Sequence, residues 1–262
     1  MGLSSLLAVP RRLVWSNAVA QSQRKSPQDT DRPAIIAVAS LSEQMLTTPT
    51  TAVVANVLSA AIRLPVVAID ADGLNQPLRG PLGAGDGGDL EGLTTLPGWG
   101  LRRTTIETHA DTAGSTVLLS TSRRFPQPLE PETLLSAVRR AAHRWPVAVI
   151  DLPFTCGSDV IATGTSMATH VLLLADKFHT DHAWLYQRGH HLSDAARQGR
   201  VSVVKVGATP SDSDAPDTLT LPSPKASTTA RDRVTLPTDP VAVIQYNRLL
   251  TRLYPEQRPG VK

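Results

Sequence analysis

Residues 35–72 read IIAVASLSEQMLTTPTTAVVANVLSAAIRLPVVAIDAD, and this stretch decides the predicted fold. Its first five residues are all apolar and predict a buried strand, after which residues 40–47 form a polar loop. Thr48 is a good N-cap and Pro49 is favoured at the first helical position, so we expect a helix to begin at these two residues.

The rest of the stretch completes a unit of strand, loop, helix and strand. The helix carries one apolar face, formed by Val53, Val54, Val57, Leu58, Ala61 and Ile62. A second apolar run, residues 66–69, follows and ends in Asp70-Ala71-Asp72. Because a crossover between two parallel strands is almost always right-handed, the stretch predicts a right-handed unit of a parallel sheet.

The loop and the two acids of this unit resemble those of the MinD/ParA-like P-loop ATPases. In that family the first strand runs into S-L-K-G-G-V-G-K-T-T, and the next strand ends in I-D-A-D. Laid on this chain without a gap, Ser40-Leu41 and Thr48 match the first motif, and Asp70 and Asp72 match the second. The resemblance implies an α/β fold of the P-loop NTPase type, a mostly parallel sheet with helices on both faces.

The same alignment shows where the chain departs from the family. Ser42 replaces the signature lysine, Thr47 replaces the phosphate-binding lysine, and Pro49 replaces the second threonine. The three loop glycines are replaced by Glu43, Gln44 and Leu46. Glycines let backbone N–H groups converge on phosphates and the lysine neutralises their charge, while a proline removes one N–H from the helix start where anions bind. The resemblance therefore implies an ATPase fold that lacks its triphosphate site.

A third acid supports the same resemblance. Residues 147–150 form an apolar run that ends at Asp151, similar to the strand whose acid positions a magnesium-bound water in P-loop enzymes. The vestigial nucleotide site implied by the family consists of Ser42, Thr47, Thr48, Asp70, Asp72 and Asp151. The implied protein has no catalytic residue and no cofactor. If the chain is instead an active ATPase with an atypical loop, its ligands are ATP and magnesium.

Two apolar residues in the loop, Met45 and Leu46, stand where the family faces phosphate. They either fold back to fill the empty cradle or form part of a protein interface. Filling is the expected outcome, because leaving a large apolar side chain in water costs ~1 kcal/mol or more. The resemblance also implies a second consequence. Family members dimerise around ATP, whereas this chain lacks the lysine that reaches across, so its oligomeric state should be indifferent to ATP.

The remaining elements follow from hydrophobic periodicity and turn residues. Further strands are predicted at residues 116–120, 170–175 and 201–206, with a short edge strand at residues 219–221. Further helices are predicted at residues 90–96, 131–144, 181–198 and 241–253. The last helix should dock on the domain through Val241, Ile244, Leu249, Leu250 and Leu253. The domain organisation is an N-terminal arm and linker (1–33), one domain (34–254) with a polar loop at 209–232, and a tail (255–262).

The composition restricts the expected cellular location and binding partners of the protein. The chain has 262 residues, 41% of them hydrophobic, and no apolar run approaches the ~18 residues of a membrane span. The N-terminus is a poor signal peptide and Cys156 is the single cysteine, so we expect a cytoplasmic protein. The net charge of +3 comes without a long Lys/Arg block, which leaves contact with DNA or a membrane surface open.

A competing motif is GTSMATHV at residues 164–171, which resembles the serine-nucleophile signature of subtilisin-like proteases, with Ser166 as the nucleophile. The proline of that signature is missing, and residues 172–175 (LLLA) continue as a strand where the protease has a helix. No upstream block supplies the histidine of a triad. We expect Ser166 to be an ordinary helix residue. The loosely clustered His179, His182, His190 and His191 form no convincing metal set.

The interpretation is a non-hydrolysing pseudo-ATPase that acts as a scaffold or regulator through protein contacts. A composition rich in Ala, Arg, Pro and Thr indicates a GC-rich genome, and the arm and the S-L loop resemble MinD-like proteins associated with actinobacterial type VII secretion. Partners would be secretion components or a second copy of the chain. The alternatives left open are an active ATPase in secretion or partitioning, a DNA-associated partition protein and, more remotely, a subtilisin-like protease.

Overall fold

The computed structural model describes residues 33–40, 42, 45–62, 64–98, 101–175, 182–208, 218–227 and 232–253. The predicted arm, apart from Pro33, lies outside these residues. The predicted tail and most of the 209–232 loop also lie outside them.

An eight-stranded sheet forms the centre of the domain. Its strands are β1 (Ala34–Ser40), β2 (Val66–Asp70), β3 (Asp111–Ala113), β4 (Thr116–Leu119), β5 (Val147–Leu152), β6 (His170–Ala175), β7 (Val201–Val206) and β8 (Thr218–Leu221). They lie in the order β3-β4-β2-β5-β1-β6-β7-β8. All neighbours pair in parallel except the β3–β4 hairpin, so the predicted mostly parallel sheet is confirmed.

Helices cover both faces of this sheet. They are α1 (Thr47–Ile62), α2 (Arg79–Leu82), α3 (Leu90–Thr95), α4 (Arg103–Glu107), α5 (Pro131–Ala142), α6 (Ser158–Met167), α7 (Ser193–Arg197) and α8 (Pro240–Leu253). Alternate residues of each central strand enter two separate apolar clusters. One cluster packs against α1 and α8, and the other packs against α5 and α6. A sheet buried on both faces needs continuous apolar strands, which is why the strand predictions hold.

The glycine-rich stretch from residue 74 to residue 115 contains more secondary structure than the one helix predicted for it. The one predicted helix is present as α3, but α2, α4 and β3 were not predicted. Arg79 orders this stretch from the inside: its guanidinium is buried, pairs with Asp111, and donates to the carbonyl oxygens of Gly85 and Thr121. Because these contacts join residues that are far apart in the sequence, they produce no periodic pattern from which the structure of this stretch could be predicted.

The predicted helix at residues 181–198 is wrong. The described part of this segment has a 3₁₀ turn at Ala183–Tyr186 and the short helix α7, separated by Gly189 at φ = 92°. A residue with positive φ cannot continue a right-handed helix, so the single apolar pattern is divided between two short elements.

The last helix, α8, docks on the domain as expected. In its first half, however, two apolar side chains that were predicted to face the domain face solvent. Leu249, Leu250 and Leu253 are buried as predicted, whereas Val241 and Ile244 are 63% and 54% exposed. The turn before the helix sets this phase, because the Asp239 side chain accepts a hydrogen bond from the Ala242 N–H at 2.8 Å. Across the described residues, no helix combines the length and apolar character that a membrane span requires.

Candidate functional site

Two strand ends bring the predicted acids together. Asp70 ends β2, and its partner in the parallel register of β5 is Asp151. Side chains alternate along a strand, so both acids point to the sheet face that α1 covers, where Val147 and Val149 also lie. Asp72 follows two residues after Asp70. The structure brings Asp70, Asp72 and Asp151 together at one edge of the sheet.

The helix that faces these acids begins earlier than predicted. The Thr50 N–H donates to the Leu46 carbonyl at 3.0 Å, so Leu46 is the N-cap and Thr47 is the first helical residue. The prediction of Thr48 as N-cap is therefore wrong by two residues. Pro49 falls at the third helical position, where its missing N–H still removes no helical hydrogen bond. The shift turns the Thr48 hydroxyl toward the sheet, although a true N-cap would direct it to its own helix.

Asp151 is held by two threonine hydroxyls of α1. Thr48 Oγ1 donates to Asp151 Oδ2 at 2.7 Å, and Thr51 Oγ1 donates to Asp151 Oδ1 at 2.6 Å. Asp151 has no exposed surface, and this burial raises the pKa of its carboxyl to about 7 even though both hydrogen bonds act to lower it. The carboxyl therefore changes charge near neutral pH.

Asp70 lies beside Asp151 and is equally buried. Its carboxylate accepts hydrogen bonds from the Asp72 N–H at 3.0 Å and the Leu78 N–H at 2.8 Å. Burial raises its pKa well above the usual value, and the neighbouring Asp151 raises it further. Two like charges at this depth are unfavourable, so the two acids do not both ionise readily.

Asp72 has the opposite electrostatic character. Burial acts to raise its pKa, but hydrogen bonds from Asn75, Thr155 and Leu74 outweigh burial, and the pKa is lowered. The Leu74 and Asn75 N–H groups donate at 3.1 and 2.9 Å, and the Thr155 hydroxyl donates at 2.5 Å. Asp72 therefore stays ionised and fixes the loop that follows β2.

The two apolar residues of the loop before α1, Met45 and Leu46, differ in how deeply they are buried. Met45 is half-buried and packs against the apolar cluster beneath α1. Leu46 instead leaves 45% of its surface exposed. Thr47, at the position of the family's phosphate-binding lysine, is only 2% exposed, and Ser42 is half-buried.

No protein family model and no curated protein matches the sequence. Solved structures do match. A chain of the MinC:MinD cell division protein complex of Aquifex aeolicus aligns with a TM-score of 0.55 and 15% identity, over 87% of this chain and 99% of that chain. A variant of Cyanothece McdA in complex with ATP aligns with a TM-score of 0.57 and 14% identity over the same shares of both chains.

A third match is a putative plasmid partition protein of Borrelia burgdorferi bound to AMPPNP. It has a TM-score of 0.52 and 14% identity, over 85% of this chain and 98% of that chain. The fold is that of the MinD/ParA-like P-loop ATPases. At these identities the likeness establishes the fold and confirms the predicted fold class.

Within this MinD/ParA-like fold, sequence reasoning missed three residues of the site. Thr51, Asn75 and Thr155 all bind the acids directly. Thr51 lies three residues after Thr48, a spacing that puts both side chains on one helical face and would have indicated it. Thr155 had no comparable signal, because it reaches Asp72 from a loop 83 residues away in the sequence.

Cys156 lies next to the site and is half-buried. Burial raises the pKa of its thiol above the usual value, and the nearby Asp72 and Asp151 raise it further. The thiol therefore stays protonated and is a poor nucleophile.

The candidate nucleophile Ser166 and the four clustered histidines lie outside the acid cluster, the name used here for Asp70, Asp72 and Asp151. Ser166 is in the last turn of α6, where its hydroxyl donates to the Thr163 carbonyl at 2.8 Å, as an ordinary helix residue does. The rings of His190 and His191 pack with centroids 4.6 Å apart, His182 is buried, and His179 lies outside the described residues. In the part of the chain that the structure describes, no group of three or more His, Cys, Asp or Glu side chains could hold a metal ion.

Proposed function

We propose that this protein is a MinD/ParA-like pseudo-ATPase, which does not hydrolyse ATP and acts as a scaffold or regulator through protein contacts. The observation that carries the proposal is the buried, uncharged Thr47 at the position of the family's phosphate-binding lysine. Asp151 is bound by the hydroxyls of Thr48 and Thr51. The acid that would serve a magnesium ion serves the internal packing of the domain.

A triphosphate fits the loop poorly. Thr47 is short, uncharged and almost fully buried, so it cannot neutralise a phosphate charge. Met45 packs against the apolar cluster, and in the sequence Glu43, Gln44 and Leu46 replace the glycines that let backbone N–H groups converge on phosphates. Pro49 removes one of the few N–H groups that the start of α1 could direct at an anion.

Magnesium also fits the acids poorly. Both oxygens of Asp151 accept a hydroxyl hydrogen bond, and both oxygens of Asp72 accept hydrogen bonds from the chain. Magnesium requires near-octahedral oxygen coordination and usually keeps several waters, whereas Asp70 and Asp151 have no exposed surface. The acid cluster is better suited to stabilising the fold than to binding a metal.

The process that we propose is actinobacterial type VII secretion, with a secretion component as partner. Its support is the resemblance of the arm and the S-L loop, together with a fold that occurs in a complex of two proteins in the MinC:MinD structure. Genes for secretion components next to the gene of this protein would support the assignment. A neighbouring gene for a centromere-binding partner would favour a DNA-associated partition protein, whose fold this chain shares.

An active ATPase with an atypical loop is the second candidate. The hydrogen bond between Thr48 and Asp151 favours it, because the corresponding threonine and acid hold magnesium in P-loop enzymes. The two candidates differ in whether nucleotide binds at all, which is directly measurable.

Calorimetry with ATP and magnesium tests the proposal on the full-length protein. We expect no binding in the micromolar range, whereas a Kd of about 1 µM, equivalent to about −8 kcal/mol, would refute the pseudo-ATPase. The matched variant restores the family loop with the substitutions Ser42→Lys, Glu43→Gly, Gln44→Gly, Leu46→Gly and Thr47→Lys. If the loop alone prevents binding, this variant gains affinity for ATP and the natural chain does not.

A further inference from the structure

Six basic side chains surround the C-terminal end of α5, and we call them the basic surface. They are Arg102, Arg103, Arg139, Arg140, His143 and Arg144. Two contacts join the start of α4 to the end of α5. Arg144 Nε donates to the Leu101 carbonyl at 2.5 Å, and the Arg103 guanidinium lies 4.9 Å from the centroid of the Trp145 ring. Because α5 leads directly into β5, the basic surface lies at the edge of the sheet where the parallel strands begin, opposite the acid cluster.

The basic surface contains little negative charge. Among the described residues its one ion pair joins Arg103 to Glu107. Arg102 and Arg139 are exposed, and neither has an ion pair to another described residue. The exposed acids of α5, Glu132 and the preceding Glu130, lie at the other end of this helix, about 18 Å away at 1.5 Å per residue. Positive charge is therefore concentrated at one end of the helix.

Only part of the basic surface serves the domain itself. Arg140 donates to three backbone carbonyls around the end of α3, at 2.8, 2.6 and 2.8 Å, and Arg144 donates to one carbonyl before α4. Cations near a helix C-terminus also interact favourably with the helix dipole. The side chains of Arg102 and Arg139, in contrast, donate no hydrogen bond to any residue that the structure describes. The internal contacts of the fold therefore do not account for these two arginines.

We propose that the basic surface binds an acidic segment of a partner protein through the carboxylates of Asp and Glu side chains. The proposal rests on the proposed function, because it names the chemistry of the partner that a scaffold contacts. A guanidinium presents its N–H groups in a planar fork that matches a carboxylate. Within the described chain Arg144 uses only its Nε, so both of its Nη groups can donate to such a partner.

Two of the guanidinium groups are already held in place in the protein without a partner. Arg103 packs on the ring of Trp145, which is only 1% exposed, and donates to Glu107 at 2.8 Å. Arg144 is fixed by its hydrogen bond to the Leu101 carbonyl. Side chains that are ordered before binding lose less conformational entropy when a partner arrives.

The surroundings of the basic surface favour a short protein segment over nucleic acid or a membrane. DNA carries one negative charge per about 1.7 Å of its axis, so a duplex that lies along α5 also faces Glu130 and Glu132 at the other end of the helix. Binding to a membrane surface needs apolar side chains that insert between the lipids. None of the large apolar side chains that the described residues expose belongs to α4 or α5.

Fluorescence anisotropy on the full-length protein, with a labelled decapeptide of alternating Glu and Gly, tests the proposal. We expect saturable binding that a decapeptide of alternating Lys and Gly does not show. Binding should be lost as NaCl rises from about 0.05 to about 0.5 M, because salt screens exposed ion pairs. Arg102→Gln with Arg139→Gln should weaken binding about tenfold.

The matched control is Arg124→Gln with Lys225→Gln. It removes the same two charges from exposed positions after β4 and β8, at the opposite edge of the sheet, and should leave binding unchanged. Circular dichroism melts establish that both double variants remain folded. Equal losses in the two variants would show that binding responds only to net charge and would overturn the proposal.

Three further outcomes overturn the proposal. They are no binding of the acidic peptide at low salt, and tighter binding of either a DNA duplex or phosphatidylglycerol vesicles that Arg102→Gln with Arg139→Gln abolishes. Calorimetry with ATP and magnesium separates these outcomes from the proposed function. A protein that binds neither the peptide nor ATP leaves the pseudo-ATPase standing without this partner, whereas a protein that binds ATP refutes the pseudo-ATPase whatever the peptide does.

Discussion

The acid cluster (Asp70, Asp72 and Asp151) and the loop before α1 both correspond to nucleotide-site motifs of the MinD/ParA-like family. They differ in how they contact the rest of the protein. Asp70 and Asp151 are fully buried and bound by backbone N–H groups or threonine hydroxyls. The loop residue Leu46 is exposed, and the family's glycines and lysines are absent. The acids make their hydrogen bonds within the domain, whereas in the resembling family the loop glycines and lysine contact phosphates. The acids can therefore serve the fold alone.

The largest expected effect is on the pH dependence of stability. The pKa of Asp151 is about 7 in the folded protein against 3.8 for an ordinary aspartate, so the folded state binds the proton more tightly. The stabilisation is therefore complete below about pH 4 and is lost as the pH rises to about 7. At 1.36 kcal/mol per pKa unit the loss is at most about 4 kcal/mol. Urea unfolding between pH 4 and 7.5 measures it.

The matched variant for this pH dependence is Asp151→Asn, which keeps the side-chain shape but does not titrate. Its stability should change much less across the same pH range. An unchanged slope in this variant would assign the pH dependence to other groups.

A smaller effect is expected when the Asp151 side chain is removed at pH 5, where it is protonated. Asp151→Ala leaves the Thr48 hydroxyl buried without its acceptor, whereas the Thr51 hydroxyl keeps the Thr47 carbonyl, so the free energy of unfolding should fall by about 2 kcal/mol. Asp159→Ala, at an exposed position, should change it by less than about 0.5 kcal/mol. Equal effects of the two substitutions would show that the acid cluster does not stabilise the fold.

The smallest effects are expected in the loop, and they distinguish its two apolar residues. Met45→Ala should reduce the free energy of unfolding by about 1 kcal/mol, because Met45 packs against the apolar cluster. Leu46→Ala should have a nearly neutral effect, since about half of this side chain is already in water. Urea unfolding of both variants measures the difference, and a larger loss for Leu46→Ala would mean that Leu46 supports the fold.

Several local features could not be obtained from the sequence. The break of the predicted helix at residues 181–198 depends on the positive φ of Gly189, and glycine also occurs where φ is negative. The order in residues 74–115 depends on buried contacts of Arg79, including one with Asp111, which is 32 residues away. The start of α1 moved by two residues because a contact with β5 directs Thr48 to Asp151 in preference to capping. The apolar pattern of residues 241–253 predicted a docked helix but not which side of its first half faces solvent.

The sequence by itself determined the sheet and its mostly parallel pairing, and the resemblance to the MinD/ParA-like family implied that Asp70, Asp72 and Asp151 belong to one site. Continuous apolar runs joined by crossover helices are local patterns whose common outcome is a mostly parallel sheet. The tertiary structure alone decided that Thr48, Thr51 and Thr155 bind these acids. It also decided that Arg102, Arg139 and Arg144 share one exposed surface. Both outcomes depend on contacts between segments that are far apart in the sequence, and these contacts are set by packing of the whole chain.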